Sequence, residues 1–407
     1  MTENLKPDTP EQLEEAVAWA VAEKQPLEIL GQGSKHGWGR PVQAAATLDM
    51  SGLRGITLYE PEELVLSARA GTPLAEIQAA LAEKNQELAF EPGDWAPLWG
   101  GAAGAGTIGG MLGCNMAGPR RIRQGAARDH FLGFSAATGR GETVKSGGRV
   151  VKNVTGYDLS KLLCGSFGTL AAMSEVTIKV LPKAEKSRTV LVLGLDDASA
   201  TKALSAALGS PHEVSGAAHL PAQVAEASEV SYVRAAGGPV TAVRLEGPAP
   251  SVAARCASLR QELAAFGETE ELHSRNSALL WRELADLTPF VKQPELALWR
   301  MSVAPTEGAR LASKILEQRP GLHFYDWGGG LLWFGLSPGG DAGEAVVRGA
   351  LAGTGGHATL VRAPQEVRQE IPVFQPQPAP LAALSRRVKE AFDPHGVLTP
   401  RRMYPEF

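Results

Sequence analysis

Two glycine-rich stretches carry the residue types best suited to bind an anion. The first, LEILGQGSK at 27–35, runs an apolar strand signal into Gly31, Gln32 and Gly33, with Ser34 and Lys35 alongside. A turn through such glycines aims successive backbone N–H groups at one point, and a hydroxyl and an ammonium add donors suited to a phosphate. The second, GAAGAGTIGGMLGCNMAGPRR at 101–121, holds Gly104, Gly106 and Gly109 in a literal G-x-G-x-x-G. That spacing reads a dinucleotide only when the glycines follow a buried strand and open a helix.

The surrounding residues do not supply that context. The preceding EPGDWAPLWG carries Pro92 and Pro97 and no β-branched run, and proline is excluded from central strands. After the motif, Gly110, Gly113, Gly118 and Pro119 leave room only for a short helix. A nicotinamide Rossmann site is therefore not expected. Either loop alone reads equally well as a glycine-rich turn; the two in this order point to a pyrophosphate gripped from two sides.

The elements that must position these loops suggest three pieces. TPEQLEEAVAWAVAEK reads as a helix with Thr9 as N-cap and Pro10 at its first position. Short strands follow at 27–30, 46–50 and 64–70, a helix at 73–85, and a hairpin turning through Thr138 to Gly141. From about residue 186 strand and helix signals alternate, as in an α+β layer, with no convincing sequence repeat. A proline-rich linker, PVFQPQPAP, leads to a last helix and the tail DPHGVLTPRRMYPEF. The expected architecture is α+β: a two-lobed first domain over 1–183, an α+β cap over 184–370, and a C-terminal segment over 371–407 returning to the first domain.

Composition excludes several classes. A net charge of −4 gives no basis for nucleic-acid binding. The acidic N-terminus lacks a secretory pattern, and no apolar run reaches the length of a membrane span, so a cytoplasmic protein is expected. Three scattered cysteines form neither a disulfide framework nor a zinc or redox pair, and cannot supply the four thiolates of an iron–sulfur cluster.

The block GTIGGMLGCNMAGPRRIRQGAARDHFLGFSAATGRGETVKSGGRVVKNVTGYDLSKLLCGSFGTLAAMSEVTIKVLP, taken with LEILGQGSK and the closing AFDPHGVLTPRRMYPEF, resembles the FAD-binding domain of vanillyl-alcohol-oxidase-type (PCMH-type) flavoproteins. Within that family the chain resembles the FAD-binding subunits of glycolate oxidase (glycolate dehydrogenase). RNSALLWRELADLTPF, LWRMSV, YDWGGGLLWF and GGHATLVRAP resemble the cap of those subunits. The resemblance implies a pyrophosphate nest at Gly31, Gln32, Gly33, Ser34 and Lys35. It implies flavin-lining backbone at Pro92, Gly93, Thr107, Ile108, Gly109 and Gly110. Asn115, Gly118, Gly125 and Asp129 support that wall, Gly168 marks a turn packed on the cofactor, and the adenine end lies near Glu175 to Ile178. Some relatives tether the flavin through a histidine directly after the paired glycines; Ser34 holds that position here, so non-covalent FAD is expected.

The implied reaction is oxidation of glycolate or a similar small 2-hydroxy acid within a complex containing a second flavin subunit and an iron–sulfur subunit. The chain itself is then without a membrane span and at most peripheral at the inner membrane through those partners. Such chemistry needs a cation for the carboxylate and a base for the hydroxyl proton. Arg300 and Arg362 are the candidate cations and His357 the candidate base, although residues of these types in such settings are more often structural. Two departures stand out. The closing motif reads Pro400-Arg401-Arg402 where relatives usually have proline-glycine-arginine, so only Arg402 keeps its place. The cap also lacks the histidine-rich, metal-associated motif of catalytic sister flavoproteins, so no metal is expected. Two alternatives remain open: a free-standing FAD enzyme acting on another alcohol, sugar or lactone, and a non-catalytic FAD subunit that relays electrons or supports assembly.

Overall fold

A computed structural model describes residues 3–149, 156–337 and 339–407. The VVKNVT stretch of the block quoted above lies outside them. The chain forms two compact units. The first comprises Met1–Met116, Ala126–Lys183 and Pro372–Phe407; the second comprises Ala117–Gly125 and Ala184–Ile371. No helix among the described residues is long and apolar enough to cross a membrane.

The first unit has two lobes. In one, strands Glu3–Leu5, Ala46–Asp49 and Leu27–Leu30 form a parallel sheet in that order. Helix Pro10–Ala22 starts where Thr9 accepts the N–H of Gln12 and buries Leu13, Val17 and Ala20, the one-face spacing of an amphipathic helix. These pack with Leu27, Leu48 and, from the C-terminal segment, Val397 and Leu398. Leu27 also forms a parallel bridge to Leu398, which ties the tail to the strand that feeds the first glycine loop.

The other lobe is an antiparallel sheet in the order Ile56–Glu60, Val65–Arg69, Ala171–Lys179, Phe131–Thr138, Thr143–Gly147. Its central pair carries a bulge: Ser135 pairs with Glu175 and Ala136 with Met173, leaving Ser174 unopposed. One extra residue reverses the alternation, so Met173 and Glu175 face opposite sides of the sheet. The segment from Gly101 enters helix Ile108–Gly113 from an irregular stretch, not from a strand, and six residues complete the helix. A Rossmann arrangement is absent there, as its flanking residues indicate.

The second unit is built on an eight-stranded antiparallel sheet: Thr269–His273, Lys186–Leu193, Val240–Gly247, Gly216–Leu220, Gly321–Asp326, Leu331–Leu336, Ala297–Ser302, His357–Arg362. It is a structural duplication. Each half runs strand, helix, strand, strand, helix, strand, apart from two short helices, Ala222–Glu226 and Ser231–Arg234, inserted between the second and third strands of the first half, and within each half the sheet order is fourth, first, third, second. Helices Asp197–Gly209 and Ala249–Leu263 bury Ala203, Leu204, Val252 and Cys256 against the first half. The excursion Ala117–Gly125 adds Ile122 to this core. Strand Gly216–Leu220 was not expected, because GAAHL is buried at every position and shows no alternation.

Candidate functional site

A cavity opens in the first unit between the two glycine loops. Gly31, Gln32, Gly33, Ser34 and Lys35 line one side; Thr107, Gly109 and Gly110 line another; Gly168, Met173, Thr399 and Arg402 complete the wall. The loops approach so closely that a Cβ on Gly31 would sit 2.4 Å from the Thr107 hydroxyl oxygen. Glycine at 31 is therefore a packing requirement.

Lys35 is the chemically informative residue. Its ammonium donates to the Ser34 hydroxyl at 3.1 Å and makes no ion pair among the described residues. Burial pushes its pKa below the ordinary lysine range, against the opposing pull of Cys114 and Asp94. A cation partly withdrawn from water without a carboxylate partner is costly unless an anion completes it. Its Cε and Nζ lie close to Gly110, where a Cβ would come within 3.8 Å of Nζ, so cation and glycine wall face the same space. The residues present fit a pyrophosphate.

Arg402 organises this loop from beneath. Its guanidinium donates to the carbonyls of Lys35 and His36, at 3.3 and 2.9 Å, and to Glu28 at 3.3 Å. Gly39, at φ 97°, leaves room for it, since a Cβ there would lie 2.7 Å from Arg402 Nε. Thr399 reaches the same region, accepting the N–H of Ile29 and donating its own N–H to the Leu27 carbonyl.

Other expected cofactor residues lie elsewhere. Ile108 is fully buried as the first residue of its helix, and Pro92 and Gly93 are buried in the irregular stretch before the second loop; none lines the cavity. Asn115 supports the wall indirectly, accepting the N–H of Arg128 at 3.1 Å from a left-handed backbone at φ 47°. Asp129 is exposed and caps its own turn through the Ala126 N–H. Glu175 is a correction: the bulge at Ser174 turns it onto the opposite face from Met173, into a polar cleft shared with Arg69, Ser67 and Thr177. Ile178 is fully buried. Neither lines the cavity, so an adenine end at Glu175 to Ile178 does not follow from this geometry. Gly118 and Gly125 belong to the excursion that forms part of the second unit.

In the second unit the candidate catalytic residues separate into two kinds. Arg362 is committed to structure: its guanidinium donates to the carbonyls of Leu296, Phe290 and Gln293 at 3.1, 3.0 and 2.6 Å. It is not available as a carboxylate fork, which corrects the expectation. Arg300 behaves differently. It stands over Trp327, 5.0 Å from the ring centroid, and 6.0 Å from that of Trp333, its cross-strand partner. Burial and the nearby Arg121 lower its pKa to about 10, with Asp326 opposing. His357 is exposed at the start of its strand. Desolvation, then Arg300 and Arg121, hold its pKa below 6.5. Arg121 is the residue that sequence reading did not single out: it stands 4.3 Å from the same Trp327 ring. Only the fold brings positions so far apart in sequence to one indole.

The cysteines are all free. Cys114 lines the cavity, whereas Cys164 is buried and donates to the Leu112 carbonyl at 3.1 Å.

Comparison with known proteins agrees with this geometry. The FAD binding domain family matches residues 4–147. The glycolate oxidase subunit GlcE of Escherichia coli (strain K12) is 36% identical over 98% of both chains. The glycolate oxidase subunit GlcD of Bacillus subtilis (strain 168) is 29% identical, over 41% of this chain and 34% of that one. Among solved structures, 4-ethylphenol oxidase from Gulosibacter chungangensis superposes with a TM-score of 0.74 at 14% identity, covering 99% of this chain and 89% of the other. An alkyldihydroxyacetonephosphate synthase does so with a TM-score of 0.71 at 17% identity, covering 98% and 75%. These two show the shared fold.

Proposed function

Because the chain belongs to the FAD-binding flavoprotein family that includes the glycolate oxidase subunit GlcE, we propose that it is the FAD-binding subunit of a complex oxidising glycolate, or a closely similar 2-hydroxy acid, to the 2-oxo acid. The observation that carries the cofactor half of this reading is Lys35, a half-buried ammonium with no carboxylate partner among the described residues, in a cavity walled by the two glycine loops. The substrate half rests on the high-coverage similarity to GlcE.

When bound, FAD supplies the acceptor for the two electrons removed from the alcohol carbon. In this reading the Gly31 to Lys35 loop and Thr107 hold its pyrophosphate, with Lys35 supplying the countercharge. Arg402 acts by fixing the loop carbonyls, which aims the loop N–H groups into the cavity. Ser34 offers no imidazole for a covalent tether, so the cofactor is dissociable. Arg300 holds the substrate carboxylate. His357, neutral at pH 7 because its pKa is depressed, takes the hydroxyl proton at an imidazole nitrogen. The chain has only three cysteines, so electrons leave through an iron–sulfur partner subunit or to a quinone.

The test is the visible spectrum of the purified chain, alone and then co-purified with its partner subunits, before and after anaerobic glycolate. A flavin band that bleaches in the assembled complex supports the reading. A band that persists in the complex leaves a relay or assembly role, and no band after adding FAD overturns the cofactor assignment.

A further inference from the structure

The second unit pairs its buried and half-buried arginines carefully. Arg120 makes a two-point contact with Glu246, at 3.0 and 2.7 Å, Arg188 meets Glu271 and Arg319 meets Asp341. Half-buried Arg300 breaks the pattern, and the exposed Arg121 stands beside it. Among the described residues neither guanidinium has an ion pair or a side-chain hydrogen bond, yet both stand on one ring, Trp327, at 4.3 and 5.0 Å from its centroid. Asp326 is the nearest acidic influence on Arg300, and its Oδ1 already accepts the Trp327 N–H at 2.7 Å. Two guanidinium groups drawn together without a carboxylate between them repel one another, an arrangement that a bound anion would relieve.

Trp327 is built to hold them there. Its backbone is left-handed, φ 52°, and the next two residues, Gly328 and Gly329, are also at positive φ. A bulky residue in that region is strained and persists only where its surroundings impose it. The surroundings are visible: the Trp327 indole N–H donates to the Gly118 carbonyl at 3.1 Å. Gly118 in turn accepts the N–H of Arg121. The indole therefore fixes both the ring and the turn that carries Arg121. Arg121 and His357 are exposed, so the group is open to a small solute.

We propose that Arg121 and Arg300, spaced by Trp327, form a two-guanidinium clamp for the carboxylate of a small 2-hydroxy acid, with His357 beside its hydroxyl. The anion clamp stands on the geometry; the choice of a 2-hydroxy acid as its ligand rests on the proposed function. Trp327 is a positioning residue: it does not contact the ligand but holds the two cations at their separation.

The experiment is isothermal titration calorimetry of the full FAD-loaded chain with glycolate, with oxalate, and with uncharged ethylene glycol. Both anions should bind, ethylene glycol should not, and affinity should fall as ionic strength rises. Arg121→Gln, a change on an exposed turn, and Arg300→Gln should each weaken both anions at least tenfold, the worth of one lost charge-assisted hydrogen bond. Trp327→Phe keeps an aromatic face but frees Gly118, and should weaken both anions with Arg121 and Arg300 intact. Anion affinity unchanged in Arg121→Gln and Arg300→Gln would overturn the clamp, even if glycolate still bleached flavin in the assembled complex. Oxalate binding lost in those variants, in a chain whose complex is never bleached by glycolate, would keep the clamp and sink the functional reading instead.

Discussion

His219 pairs with Tyr325, and this is the one register contact between the two four-stranded halves of the eight-stranded sheet among the described residues. The two side chains, with His323, converge on a single carboxylate. Asp197, at the start of its helix, accepts from Tyr325 at 2.7 Å and contacts His323 at 3.0 Å and His219 at 3.2 Å. A duplicated βαββαβ unit joined second strand to second strand has little backbone pairing at its seam, and the polar cluster supplies what the ladder does not.

Asp197→Asn should therefore destabilise the second unit by about 1–3 kcal/mol at pH 7, the worth of hydrogen bonds to a charged acceptor that is partly solvated. Burial opposes ionisation, but the hydrogen bonds from His219, His323 and Tyr325 outweigh it and hold the pKa well below the usual carboxylate range. A depressed folded-state pKa contributes stability above the unfolded value, about 3.9, and loses it as pH falls further. The gap between wild type and variant, measured by urea unfolding, should thus be full at pH 6 and shrink below about pH 4.

Lys35 makes a second prediction with the opposite sign. Its pKa is depressed by burial, so the free cavity loses its cation as pH rises toward that lowered value. FAD affinity, measured by fluorescence quenching on binding, should weaken in the wild type as pH rises from neutrality toward the ordinary lysine range. Lys35→Met should bind FAD at least tenfold more weakly at pH 7 and lose most of that pH dependence. An unchanged affinity in Lys35→Met would remove the pyrophosphate from this end of the cavity.

The closing motif makes a third. Arg401, standing where related sequences usually have glycine, adopts φ 59° and is exposed. The backbone keeps the left-handed turn that glycine would reach without cost, and arginine bears the strain. Arg401→Gly should raise stability by about 0.5–1 kcal/mol, read as a higher thermal midpoint. A lower midpoint would mean that the arginine side chain stabilises the tail by more than the strain costs.

The legible parts of this protein were those whose signals are local. Thr9 and Pro10 mark a helix start, the glycines at 31, 109 and 110 announce close approach and Gly33 a left-handed turn, because each acts through its own backbone. What sequence hid depends on position across the fold. The bulge at Ser174 inserts one residue into an otherwise regular strand, and the apolar alternation does not reveal which side Glu175 will face. The two halves of the second unit share a topology without a readable repeat, since many apolar residues can fill equivalent core positions. Arg121 carries no distinguishing signal in its own sequence neighbourhood. Its meaning depends on an indole about two hundred residues away, and Arg362 looked equally available until three carbonyls claimed it.

The tail provides the last prediction, because it connects a buried ion pair to the cofactor cavity. Lys389 donates to the carbonyls of Thr169 and Leu398 and to Asp393, which accepts the N–H groups of Val397 and Leu398. Burial depresses the Lys389 pKa and Asp393 opposes that shift. Lys389→Met would leave Asp393 charged and unpaired in the interior, at a cost of about 3–5 kcal/mol. The damage should not stay local, because Thr399 and Arg402 follow directly and line the cavity. Unfolding and FAD titration of the same variant should therefore show lost stability and weakened cofactor binding together. Lys389→Met with Asp393→Asn removes both charges and should recover part of each. If the double variant were no better than the single one, the Asp393 charge would not be the source of the loss, and Lys389 would act through its carbonyl contacts alone.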